Sequence, residues 1–322
     1  MPRSFSGSVM LPKALVVNLD CLGQEFDGRT NDELFTLTFP RSGEDAELQP
    51  PKFHEPQWLD DDDGDPRMWG WMPSTAGPAA VMGLAIWVDT TAVLNCSDAR
   101  SRASYARDIF PVTFARWIGE VSTFLELWSG QGVRSVIPSK SEGPVVQLFD
   151  HKSDTGYTRE AIEAAPTRKA GPMARLLSLA DWKLAAQLVS DGSPPDVVWH
   201  MLNRAQKLAL TETRFAVIEA CTAVEVAVGR RVTDSLFGHP EEARDQILTN
   251  AGGILGLVRL HEKLFPRSQD QKRPDFSNTL ASLRNEVAHA GKVPNDTEVG
   301  AALDNTARRM LDEVCRLPSP SG

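Results

Sequence analysis

The chain has 322 residues, 41% of them apolar and 24% charged, a length that accommodates two ordinary domains and a composition typical of folded globular proteins. No stretch reaches the roughly 18 uninterrupted apolar residues of a membrane span, and residues 1–10 hold one Arg and no apolar run of the kind a secretory signal needs, so a cytosolic protein without membrane association is expected. The net charge of −9 arises in residues 1–150, with 12 Lys/Arg against 21 Asp/Glu, whereas residues 151–322 hold 22 of each; this excludes the broad basic excess of a duplex DNA binder and leaves any nucleic-acid contact to a few local cations.

The first 160 residues read as strand-leaning. Residues 14–19 and 34–39 are short β-branched or aromatic runs bounded by turn formers, and residues 81–88 and 144–149 repeat the pattern. Between Leu48 and Pro78 lies a Pro-, Asp- and Trp-rich stretch without period, expected to be a long loop or irregular edge. One helix interrupts the strands at 111–128, where Phe114, Trp117, Ile118, Val121, Phe124, Leu125 and Trp128 recur at three and four residues. Gly130 and Gly132 follow as C-cap chemistry.

Around residues 164–171 the composition shifts to small and basic side chains between Pro166 and Pro172, placing a boundary there. Beyond it nearly everything reads helical: 173–189, 196–210, 211–232, 254–265, 275–290 and 298–317. Asp191-Gly192-Ser193-Pro194-Pro195 stops the first of these and starts the second. On 211–232 the residues Val217, Cys221, Val224 and Val228 form one stripe. Short connections favour antiparallel neighbours, hence an up-and-down bundle. The expected architecture is α+β: a strand-rich unit with one long helix at 1–165, a linker helix region at 166–194, and an all-helical bundle at 195–318.

Several features invite a chemical reading. Cys21, Cys96, Cys221 and Cys315 lie outside metal-clip spacing of one another, so free thiols are expected and no zinc or other cofactor. The acidic run at 60–65 fails as a calcium loop, because with Gly64 sixth the first and twelfth places hold Leu59 and Gly70; a solvated acidic loop that repels RNA is the reading. Trp58, Trp69 and Trp71 are either core of the strand-rich unit or a stacking surface. His200, His239 and His261 stand alone and are expected at the surface. Arg230-Arg231 and Arg308-Arg309 fall at helix ends or faces, where dipole contacts explain at least the first pair as well as RNA does.

The most specific pattern lies in 275–290. Phe276, Leu280, Leu283 and Val287, spaced four, three and four apart, form an apolar stripe for the bundle core. At roughly 100° per residue, Arg284, Asn285, Ala288 and His289 share the opposite face, with Asn285 and His289 as i, i+4 neighbours. Gly291 stands where a left-handed glycine ends a helix, which puts His289 in the last turn, where the dipole favours imidazolium.

Arg284-Asn285-Glu286-Val287-Ala288-His289 near a helix end resembles the Arg-Asn-x-x-x-His signature of the HEPN superfamily. The stretch Arg214-Phe215-Ala216-Val217-Ile218-Glu219-Ala220-Cys221-Thr222-Ala223-Val224-Glu225 resembles an early helix of Apea-like HEPN proteins. The resemblance spans about 194–317 and does not reach 1–165; a strand-rich unit ahead of such a bundle is similar to prokaryotic proteins of abortive-infection type. It implies metal-independent RNA cleavage at a cleft between two protomers. His289 would then be general acid or base, Arg284 would stabilise the phosphorane, and Asn285 would orient His289 or the phosphate. Glu225 is a candidate to hold Arg284, and Lys292 and Arg214 are candidate RNA contacts. The implied partners are RNA, a second copy of the chain, and an antitoxin or defence protein, with the first unit sensing a trigger or selecting a partner. The alternative within the same resemblance is a non-catalytic dimerisation or sensing bundle.

Overall fold

The computed structural model describes residues 5–30, 33–43, 48–51, 69–72, 78–89, 98–130, 145–150, 155–158, 175–266 and 275–319. These divide into two compact units, one reaching to Pro194 and the other running from Pro195 to Ser319. The acidic run at 60–65, Trp58, Cys96 and the expected boundary at 164–171 lie outside the described residues.

An antiparallel sheet organises the first unit. Its strands are β1 (Phe5–Val17), β2 (Glu25–Thr30), β3 (Glu33–Thr38), β6 (Gly70–Trp71), β7 (Ala79–Asp89), β8 (Val145–Asp150) and β9 (Thr155–Thr158), in the order β2-β3-β7-β1-β8-β9 with β6 also on β7. A separate pair joins β4 (Arg41–Ser42) and β5 (Leu48–Gln49). The strands at 33–38, 79–89 and 145–150 fall within one or two residues of expectation. β1 differs: it starts at Phe5, not near Ala14, and lies between β7 and β8. Its first half, Phe5-Ser6-Gly7-Ser8-Val9, reads as a turn by local preference, but pairing on both sides and burial of Phe5, Ser8 and Val9 outweigh that preference. The register against β7 shifts between Met10 and Leu15, where Pro12 has no N–H to offer a ladder.

Strand β2 was not expected, since Glu25-Phe26-Asp27-Gly28-Arg29-Thr30 has a single large apolar residue. Only Phe26 and Gly28 turn inward. A Cβ at Gly28 would lie 2.4 Å from the Phe35 ring and 2.6 Å from Trp117, so the absent side chain is what lets two aromatic rings close over the strand.

The expected long helix is present and longer than its apolar stripe. It runs from α1 (Ala99–Ser104) through a π-helical stretch (Tyr105–Ile109) into α2 (Phe110–Ser129). Asp98 caps the start by accepting from the Ser101 N–H at 2.9 Å, and Gly130 ends it in the left-handed region at φ 68°. Phe114, Trp117, Ile118, Val121, Phe124 and Leu125 are buried as their spacing requires. Helix α3 (Leu179–Ser190) packs on α2 and β2 within the same unit. It begins six residues later than 173 because Leu177 bridges Val17 in parallel, and Ser178 and Asp181 form a reciprocal capping box. Asp181 is fully buried and accepts from the Ser178 N–H and hydroxyl at 2.7 and 2.9 Å and from Arg175. Trp182 fills the space between Phe26 and Phe39, with ring centroids 5.5 and 5.1 Å away.

The second unit is helical: α4 (Val197–Leu208), α5 (Thr213–Ser235), α6 (Glu241–Ala251), α7 (Ile254–Leu264), α8 (Ser282–Ala290), α9 (Asp296–Gly300) and α10 (Arg308–Val314). Alpha-helical α8 continues from a π-helical stretch, Phe276–Ala281, and another, Ala301–Ala307, joins α9 to α10. Helix α5 is the hub, touching α4, α7, α8, α9 and α10. Its buried Ala216, Ala220, Ala223 and Ala227 keep its surface low, so neighbours approach on several sides. Helix α6 was not expected, for its sequence is polar and it buries no residue fully; it closes against α7 through Gly252 and Gly253, both at positive φ. The last helix ends at Val314 and not at 317, although Leu317 is buried.

Candidate functional site

Helix α8 carries the motif as its periodicity required. Leu283 and Val287 are buried; Asn285, Ala288 and His289 are exposed, and Arg284 is half-buried. Asp275 starts the helical run by accepting from the Asn278 N–H at 3.1 Å, and Phe276 and Leu280 seat it in the core. Its end is set by Gly291 at φ 68°. The Gly291 and Lys292 N–H groups both donate to the Glu286 carbonyl, so the chain turns away one residue after the turn that holds His289.

Arg214, in the first turn of α5, donates through Nη2 to the Val287 carbonyl at 3.3 Å. This fixes a second guanidinium on the last turn of α8, two residues from His289. Arg284 donates through Nη1 to Asn285 Oδ1 at 3.1 Å. Asn285 therefore holds Arg284 in this structure, and not His289 as one of its expected roles required. His289 makes no hydrogen bond or ion pair among the described residues, leaving both ring nitrogens open to a ligand.

Glu225 is half-buried on α5 and makes no ion pair among the described residues, so the expected bond to Arg284 is not formed. Both groups nevertheless act on the same neighbour. Burial pushes the Cys221 thiol up to about 11, the Arg284 charge works against that rise and Glu225 adds to it. Arg284 makes no ion pair with a carboxylate among the described residues.

Lys292 is committed elsewhere. Its ammonium lies 2.7 Å from Glu286 and 2.7 Å from Glu298, and those bonds raise its own affinity for the proton while lowering that of both carboxyls. It clamps the loop after α8 to the start of α9, where Asn295 and Glu298 form a capping box. As an RNA contact it competes with two carboxylates at its own door.

Sequence reasoning missed two features here. Phe215, beside Arg214, is 58% exposed, and Val293, just past the glycine, is 71% exposed. Neither breaks a sequence rule, since a single apolar residue at an expected helix start or in a loop carries no signal of its exposure. Other expectations are corrected in the same unit. His261 is 3% exposed, packed with its ring 5.0 Å from Phe265, not at the surface; His200 is half-buried and His239 exposed. Arg230 pairs with Asp196 at 3.1 Å, and Arg231 lies over the Phe265 ring at 4.6 Å, so this basic pair is engaged within the unit. Cys21 and Cys221 are buried free thiols and Cys315 is half-buried. In the first unit Trp69 is buried.

Among the described residues no three His, Cys, Asp or Glu side chains gather as a metal site requires, and no helix is long and apolar enough to cross a membrane. No family model, curated protein or solved structure matches the chain.

Proposed function

We propose that the helical unit is an endoribonuclease of the HEPN kind, acting without a metal through Arg284, Asn285 and His289 at a cleft shared by two copies of the chain, in a toxin or phage-defence role. The observation that carries this reading is the shared face at the end of α8: an unengaged, exposed His289, with guanidinium groups of Arg284 and Arg214 set along the same terminal turns.

The chemistry is transesterification. A 2′-hydroxyl attacks the adjacent phosphorus while an imidazole takes its proton; the P–O5′ bond breaks and the leaving oxygen receives a proton from an imidazolium. The products are a 2′,3′-cyclic phosphate and a 5′-hydroxyl. Each chain contributes one such histidine, so a dimer supplies both the base and the acid. Arg284, its fork held by Asn285, meets the charge that grows on the phosphorane, and Arg214 meets a neighbouring phosphate with the guanidinium edge not given to Val287. The acidic first unit, in this proposal, selects the partner that holds or releases the activity.

Purified full-length protein is incubated with bulk RNA in EDTA. Cleavage that survives chelation, yields cyclic-phosphate ends and is lost in His289→Ala is the expected result. If the wild type and His289→Ala leave several RNA classes equally intact, the catalytic reading is dropped. A second reading, a bundle that only dimerises or senses, draws on Lys292, whose charge is spent on Glu286 and Glu298 and adds little to an RNA-binding field; a dimer without cleavage is its signature.

A further inference from the structure

Strand β2 is one of the two outer strands of the first unit's sheet among the described residues. Its pairing with β3 uses alternate residues, and the N–H of Arg29 points the other way, donating to Ser190 Oγ of α3 at 2.9 Å. By the alternation of an antiparallel ladder, the N–H and C=O groups of Asp27 and Glu25 also point outward. Among the described residues the edge is closed at one end only. There Ser190 Oγ takes both the Arg29 N–H and the Trp117 indole N–H, the latter at 3.2 Å, and the Ser190 carbonyl accepts from the Arg29 guanidinium at 3.2 Å. Next to the open part lies a groove of about 530 Å³, walled by β2 on one side and by Lys183, Gln187 and Ser190 of α3 on the other. That volume is within the roughly 300–1,000 Å³ of ligand-binding clefts.

The side chains beside the open edge alternate in charge-bearing positions. Glu25 and Asp27 project from the exposed face of β2, each beside a threonine of β3: Thr36 donates to Asp27 at 2.9 Å and Thr38 to Glu25 at 3.4 Å. These bonds fix where the two carboxylates stand, and neither is paired with a cation among the described residues. The strand is short, partly covered by α3 and bears charged side chains, which discourages pairing with an arbitrary strand; its two carboxylates leave it open to a segment of opposite charge.

We propose that this groove takes an extended peptide segment of a partner protein, added to the sheet as a further strand alongside β2, with basic residues at alternating positions. The added backbone pairs with the outward groups of Glu25 and Asp27. In either strand direction, residues two apart on the added segment lie on the face that carries the two carboxylates, which therefore select Lys or Arg at both places. The residue between them turns toward Lys183 and Gln187. The occupant is thus a Lys/Arg-x-Lys/Arg segment in extended conformation. This deepens the partner-selecting role proposed for the first unit and does not depend on RNA cleavage by the second.

The test uses the full chain and a capped Thr-Lys-Val-Lys-Thr peptide followed by calorimetry at low salt. Expected is saturable binding, lost when the lysines are replaced by glutamates and weakened about tenfold or more when a backbone nitrogen facing Asp27 is methylated. Asp27→Lys, on an exposed position whose folding is checked by circular dichroism, removes the preference for the lysine peptide, because Glu25 and the new ammonium then favour opposite charges at the two places. Asp27→Asn, which keeps the shape, weakens the lysine peptide a few-fold. The proposal is overturned if the wild type binds neither peptide, if binding ignores N-methylation, or if Asp27→Lys leaves the preference unchanged. A stable dimer joined through β2, seen by sedimentation and broken by Asp27→Lys without peptide binding, assigns the edge to a second copy and also overturns it.

Discussion

Replacing Gly291 with Ala isolates the device that ends α8 beside His289. The residue has φ 68° and ψ 16°, and a Cβ built there meets no atom within 4 Å, so the substitution introduces no clash. Its cost is purely conformational: a left-handed L residue is worse than glycine by about 1–2 kcal/mol. Two hydrogen bonds depend on this geometry, those from the Gly291 and Lys292 N–H groups to the Glu286 carbonyl. If the variant relieves strain by fraying the last turn, the amides at 291 and 292 exchange about 5–30-fold faster, the ratio that corresponds to 1–2 kcal/mol. Amides of α5 that rest on buried Val217 and Val224 keep their rates. Gly291→Asn, which tolerates the left-handed region, recovers part of the loss. Hydrogen exchange followed by mass spectrometry on a peptide covering 282–294 reads all three proteins. Unchanged exchange in Gly291→Ala, or a loss equal in Asn and Ala, would refute the claim that backbone conformation at this one position holds the turn.

The remaining predictions concern packing and charge. Gly28→Ala drives a methyl to within 2.4 Å of Phe35 and 2.6 Å of Trp117; overpacking of this kind costs about 1–3 kcal/mol, and the thermal transition of the first unit falls accordingly. Trp182→Phe is close to neutral, because removing an indole N–H that is buried without a hydrogen-bond partner among the described residues offsets the small cavity left, whereas Trp182→Ala opens a cavity costing about 3–5 kcal/mol; urea titrations of the two variants separate the contributions. The Lys292 clamp gives a pH window of defined sign. Its two carboxyls titrate below their ordinary 4.5, so their contribution is complete above that value and lost as pH falls through the lowered one; Lys292 titrates above 10.5, so its contribution is complete below that and lost as pH rises further. In Lys292→Met, NMR titration places both the Glu286 and Glu298 carboxyls higher than in the wild type.

Local periodicity made α2 and the run ending in α8 legible. The stripe from Phe114 to Leu125 and that from Phe276 to Val287 repeat at three and four residues, and such spacing has one apolar face whatever the rest of the chain does. The same rule put Asn285, Ala288 and His289 on the exposed face, and Gly291 after them as the stop. Strands β3, β7 and β8 were legible because each holds a run of β-branched or aromatic residues. Helices α1 and α6 and strand β2 were not: Arg100-Ser101-Arg102 and Glu241-Glu242 carry no apolar face of their own. Their structure comes from continuity with a better helix or from a neighbour that accepts them.

The candidate site divides in the same way. That Arg284, Asn285 and His289 share a helix end follows from the sequence by itself, since residues one to five apart on a helix have fixed angular relations. That Arg214 reaches Val287 across 73 residues was decided only in the tertiary structure, whereas the Arg284–Asn285 and Lys292–Glu286/Glu298 bonds join residues one and six apart. Local order is set by torsions and spacing, which the chain carries with it everywhere. Which carbonyl the Arg214 guanidinium meets depends on the distance between α5 and α8, and that distance is set here by the alanines that bring α5 close to its neighbours.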